Sequence, residues 1–131
     1  MTKKKIINKK TVILISVILG SILIKYCFFS FESGDYKRFL LNWYNTLSEE
    51  GLTSIVNGLG NYNPPYLILL YLLTFLPGSA IVKIKMLSVV FDILMGFMGY
   101  LIVKKLTKGK YAYLCWIIII LLPTVILNSS M

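Results

Sequence analysis

The feature that most constrains this chain is the alternation of long apolar runs with clusters of lysine. Thr11 to Phe29, TVILISVILGSILIKYCFF, is almost wholly apolar. At 1.5 Å per residue it reaches about 28 Å, close to the thickness of a bilayer's hydrocarbon core. Ile81 to Val103 is long enough to cross as well, and Tyr111 to Leu127 crosses if it starts at the basic loop before it. Lys3, Lys4, Lys5, Lys9 and Lys10 precede the first run, and Lys104, Lys105, Lys108 and Lys110 separate the second from the third. Soluble domains devote about a quarter of their residues to charge, whereas this chain is 15% charged and 57% hydrophobic. The pattern predicts an all-α, polytopic membrane fold of about three spans, with room for one ordered loop and no second domain.

The net charge of +9 does not point to nucleic acid. A basic stripe that binds phosphates sits on a soluble face, while these lysines cluster at the ends of apolar runs, as membrane flanks do. Cys27 and Cys115 lie inside apolar runs, where a thiol behaves as a small hydrophobe. With no histidine in the chain, a zinc site is excluded.

Charge also orders the topology. A basic flank stays on the cytoplasmic side, so 1–10 reads as a cytoplasmic tail and 11–31 as an uncleaved first span. Lys25, near the far end of that span, can carry its ammonium toward the interface. The run Pro65 to Leu76 would reach only about 18 Å, short of the core. If it lies shallowly in the outer leaflet, the second lysine cluster joins the first on the inside, as the positive-inside rule favours. The expected order is an external loop over 32–80, a second span over 81–103, a cytoplasmic basic loop over 104–110 and a third span over 111–127. The protein is then a multi-pass component of the cytoplasmic membrane with its N-terminus inside.

The external loop is patterned. Tyr36, Phe39, Leu40, Trp43, Tyr44 and Leu47 fall on one helical face, and Trp and Tyr on that face suit the headgroup region. Gly51 is positioned to cap this helix at its C-terminus. Leu52, Ile55, Val56 and Leu59 predict a second short amphipathic helix, and Pro65 to Leu76 a third, juxtamembrane one.

Two of the five acids stand out. Asp35, at the outer mouth of the first span, reads either as a helix N-cap or as a general base or metal-supporting carboxylate at a membrane-surface site. Asp92 lies within the second span, where an acid is costly and faces a bundle interior or a water cavity. Ser88 shares its helical face, and Lys25 is a candidate partner. Asp92 and Lys25 thus read as an intramembrane polar anchor or as part of the chemistry. Gly96 and Gly99 would let a neighbouring helix approach closely.

SGDYKRFLLNWYN, NYNPPYLILLYLL, KIKMLSVVFDILMGFMGYLIVKKL and LLPTVILNSSM, in that order, resemble the opening of bacterial GT-C glycosyltransferases related to the mannosyltransferases of the GPI-anchor pathway. The resemblance implies that Asp35 is the catalytic base and that the donor is a polyprenyl-phosphate-linked sugar. It also implies juxtamembrane helices in the loop and a tyrosine–proline-rich motif at Asn61 to Tyr66, which makes Asn61, Tyr62 and Tyr66 candidate substrate contacts. No cofactor is assigned beyond a divalent metal that the complete enzyme would accommodate. Family members have roughly eight to thirteen spans, and a Trp-Gly-Gln and acidic motif would begin where this chain stops. The expectation is therefore an N-terminal fragment, inactive alone, from a truncated reading frame or from a split gene whose missing spans a separate chain would carry. The alternative is a small non-enzymatic membrane protein, either an accessory subunit or a transporter fragment.

Overall fold

A computed structural model describes residues 9–130. Most of the tail expected over 1–10 therefore lies outside the described residues. All regular structure among them is helical. The helices are α1 (Lys9–Cys27), a π-helical segment Tyr36–Leu40 running directly into α2 (Leu41–Glu50), α3 (Thr53–Val56), α4 (Pro64–Thr74), α5 (Ala80–Leu106), α6 (Ala112–Leu121) and α7 (Pro123–Ser130). The protein is an all-α, polytopic membrane protein in which α1 and α5 are each long and apolar enough to cross a bilayer.

The chain divides into two compact units, one joining residues up to Cys27 with Ser88–Ser130, the other comprising Phe28–Leu87. In the first unit, α1 packs against α6 and α7, burying Leu14, Ala112, Ile120, Ser129 and Ser130. Most of the apolar surface of the spans is left outward. Ile13, Leu19, Leu23 and Tyr26 on α1 and Val90, Leu94, Met98 and Ile102 on α5 are all exposed. In water such a surface would cost about 25 cal/mol per Å², but in hydrocarbon it costs nothing.

Gly96 and Gly99 do admit a close neighbour, which is α6. A Cβ on Gly96 would overlap the Trp116 indole, and one on Gly99 would lie 2.5 Å from Ile119 Cδ1 and 3.3 Å from Cys115 Sγ. Around them Phe97, Tyr100, Tyr113 and Trp116 form a cluster of touching rings. Gly96→Ala should therefore destabilise the protein by about 1–3 kcal/mol through overpacking, although helix propensity alone would gain about 1 kcal/mol. Gly20→Ala in α1, where a Cβ meets nothing within 4 Å, should show the gain. Denaturation of the two variants in detergent micelles reads the opposite signs.

The run expected as a single third span, 111–127, is broken. Leu122 leaves helical geometry at ψ 128°, Pro123 opens α7, and the two helices bend by 50°. Proline lacks the N–H that would continue the ladder and favours the first turn of a new helix. Along the direction of α6 the bent pair covers about 23 Å.

In the second unit the core is Tyr36, Trp43, Tyr44, Leu47, Leu67, Leu70 and Ile84, built chiefly where α2 lies on α4. Gly51 caps α2 as expected, at φ +70°, its N–H donating to Leu47 C=O at 3.1 Å. Two expectations for the loop change. Leu41 N–H donates to Tyr36 C=O, five residues back, and the wider π-turn rotates Phe39 off the stripe so that it is exposed. The remaining aromatic face meets α4 and not headgroups. The helix expected over Leu52 to Leu59 is a single turn, with Ile55 and Leu59 against the core and Val56 87% exposed. Of the run expected over 65–76, the helical part is α4, Pro64–Thr74, about 16 Å long, and Phe75 and Leu76 lie beyond it.

Candidate functional site

Asp35 stands in the first turn of the helix that leads from the π-segment into α2. Its φ −69° and ψ −37° are helical and its side chain caps nothing. The cap is Ser33, whose Oγ accepts from Tyr36 N–H at 3.2 Å, while Ser33 C=O accepts from Lys37 N–H at 3.1 Å. This overturns the capping alternative for Asp35, because an N-cap residue sits before the helix with its oxygen on the free amides, and that position is taken. The Asp35 side chain is exposed, and among the described residues no hydrogen bond or ion pair reaches it. Glu32, three residues earlier, pairs instead with Lys37 at 3.3 Å, both largely in water, a contact of little energetic weight. Burial, then Glu32 and Tyr44, pushes the Tyr36 hydroxyl above its ordinary pKa, so it remains a proton donor at neutral pH.

Of the other candidate contacts, Tyr62 and Tyr66 join a ladder of four rings. Phe39 and Trp43 lie 5.7 Å apart, Trp43 and Tyr62 5.1 Å, and Tyr62 and Tyr66 5.2 Å. The loop can lie this close to Trp43 because Gly60 has φ +70° and no side chain; a Cβ there would sit 2.8 Å from the indole. Burial, with Tyr62 beside it, raises the Tyr66 hydroxyl. Asn61 is exposed, and no hydrogen bond among the described residues ties it or Asp35 to the ladder. The joining of Phe39 and Trp43 to Tyr62 had no sequence signal beyond the shared aromatic type, since the contacts cross a loop.

The two intramembrane charges meet. Lys25 Nζ donates to Asp92 Oδ2, with the lysine 1% exposed. Lys25 thus turns inward and does not carry its ammonium to the interface. Ser88 makes no hydrogen bond to the pair among the described residues. A charged pair with excellent contact can offset much of its desolvation in a low dielectric, whereas either charge alone cannot.

Asp35 alone does not make a divalent-metal site. Mg²⁺ and Ca²⁺ take several oxygen ligands, and among the described residues no three His, Cys, Asp or Glu side chains converge. The site has an unengaged carboxylate beside a π-turn, a form that recurs at functional positions, and separately an aromatic ladder. No family model, curated protein or solved structure matches this chain.

Proposed function

We propose that this chain is the N-terminal part of a GT-C-type membrane glycosyltransferase, with Asp35 as the base that deprotonates an acceptor hydroxyl. The observation that carries the reading is the state of Asp35: exposed, unpaired among the described residues and released from capping by Ser33. A hydroxyl is a weak nucleophile at neutral pH, and a positioned carboxylate within reach of its proton lowers the barrier to displacement. The donor is a polyprenyl-phosphate-linked sugar and the acceptor a cell-surface glycan, both by resemblance. Lys37 and Arg38, adjacent on the chain, supply positive charge near the phosphate leaving group.

The resemblance attaches a second acid and most of the donor cavity to further helices. The 131 residues alone are expected to turn over no polyprenyl-phosphate sugar. Membranes that also carry those helices should transfer sugar, and the two chains should copurify. Failure to transfer in the completed system would sink the enzymatic reading. A transporter part is the second reading, favoured by the broken α6–α7 pair, since discontinuous helices line substrate sites in transporters. In that case, uptake should respond to substitutions at Leu122 and Pro123 and remain indifferent to Asp35.

The proposed topology puts the N-terminus and the lysine cluster 104–110 inside and the loop outside. Cysteines placed at Lys108, Asn57 and the exposed Asn128 test it in intact cells. An impermeant maleimide should label positions 57 and 128 and spare 108. Labelling at 108 would refute the arrangement, and protection at 128 together with 108 would make α6–α7 a re-entrant hairpin.

A further inference from the structure

Two lysine clusters far apart in sequence converge within the first unit. The Tyr113 hydroxyl, in the first turn of α6, is hydrogen-bonded to the side chains of Thr11 on α1 and Tyr100 on α5. The Tyr100 and Tyr113 rings meet edge to face at 5.1 Å, and Lys104 Nζ lies 5.6 Å from the Tyr100 ring centroid. Lys10 directly precedes Thr11. Its ammonium and that of Lys104 are both close enough to act electrostatically on the Tyr113 hydroxyl. The starts of α1 and α6 and the end of α5 thus share one corner.

The α5–α6 connection is an ordered turn. Gly109 N–H donates to Lys104 C=O at 3.0 Å and Lys110 N–H to Thr107 C=O at 3.1 Å, while Thr107 Oγ donates to Val103 C=O at 2.7 Å. Lys108 takes φ +53°, left-handed geometry that glycine or asparagine adopts at less cost. Lys9, Lys10, Lys104, Lys105, Lys108 and Lys110 are all exposed. By sequence, the one acidic residue of this unit is Asp92, which pairs with Lys25 about 18 Å along α5 from Lys104. A concentration of lysine charge at the end of apolar helices attracts phosphate.

The adjoining surface narrows the kind of phosphate. Val12, Leu101, Ile102 and Leu114, next to these polar groups along the chain, are exposed and apolar. A soluble phosphate or a nucleic acid would leave those side chains in water, at a cost proportional to their area. A phospholipid sets its phosphate on the lysines and its acyl chains on the apolar wall.

We propose that this corner binds an anionic phospholipid, its phosphate held between Lys10 and Lys104 beside the Tyr113 hydroxyl. Lys108 and Lys110 draw the headgroup in without holding it. The site needs lipid but neither the transferase reading nor a choice of inside and outside, so it stands or falls separately.

Native mass spectrometry of the full chain, released from detergent micelles doped with lipid, tests the site. Phosphatidylglycerol and phosphatidylcholine carry the same phosphodiester, but the choline of the second repels lysine. Each lysine near an anionic headgroup is worth about fivefold in affinity. Two should therefore retain one phosphatidylglycerol with a preference of roughly twenty-fivefold over phosphatidylcholine. Lys10→Gln/Lys104→Gln should remove most of that preference, and Lys10→Arg/Lys104→Arg should keep it. Lys108→Gln/Lys110→Gln, which deletes the same charge, should keep most of it too. Circular dichroism verifies that each variant is folded. An indifferent parent, an unchanged Lys10→Gln/Lys104→Gln pair or a failing arginine pair would each overturn the proposal. So would equal losses in the two glutamine pairs, which mean a diffuse basic field. Release of the lipid by millimolar inorganic phosphate would make the ligand a soluble phosphate and would overturn it as well.

Discussion

Asp35→Asn should lower transfer by the completed enzyme by about a hundredfold or more while insertion, expression and loop helicity stay as they are. The amide keeps the shape of the carboxylate but cannot take a proton at neutral pH. Because Asp35 accepts no backbone N–H, its loss removes no cap. What remains is the interaction of a negative charge with the helix N-terminus, about 0.5 kcal/mol in water. Asp35→Ala should behave alike in both activity and stability. Ser33→Ala, in contrast, should cost about 1 kcal/mol of local helix stability, because Ser33 Oγ holds the Tyr36 amide. The contrast between positions two residues apart separates chemistry from folding. Turnover in Asp35→Asn equal to that of the parent would end the catalytic assignment.

Breaking the intramembrane pair should have the largest effect on stability. Asp92→Leu leaves the Lys25 ammonium buried without its counter-charge, and Lys25→Met strands the Asp92 carboxylate. Either single change is expected to cost about 3–5 kcal/mol, the range for one orphaned member of a buried pair. The double variant Lys25→Met/Asp92→Leu should recover most of that loss, because apolar groups of similar size replace both charges. Chemical denaturation in detergent micelles of the four proteins closes the cycle, and its coupling term measures the pair. If the double variant is as unstable as the two singles combined, the charges act independently and the pairing carries no energetic weight.

The sequence pattern made the two spans legible because lipid imposes a length and a composition that no soluble element shares. Gly51 was equally legible, since a glycine after a helical stripe has one common use. The misreadings in the loop have local causes. Six residues at perfect α-spacing could not reveal that one π-turn would swing Phe39 outward. Ser33 and Asp35 are both good caps two residues apart, and only the backbone decides between them. Pro123 is a break signal inside the apolar run 111–127, because proline cannot supply the N–H that would continue the helix. The hydrogen bonds from Lys83 to Leu76 and from Lys85 to Phe28 and Phe31 had no signal at all, since they join side chains to carbonyls that any residue could supply. The same holds for the aromatic ladder, whose members come from three separate segments.

The 67 residues that separate Lys25 from Asp92 set a timing problem for biosynthesis. At 5–20 residues per second the ribosome needs about 3–13 s to make the second charge after the first. During that interval Lys25, in the last turn of α1, has no counter-charge, and a lysine near a helix end escapes the cost of a helix centre by reaching out to the interface. The inward turn of its ammonium must therefore wait for α5, and a site-specific photocross-linker at Ile24 should change its contacts only once nascent chains extend past Asp92.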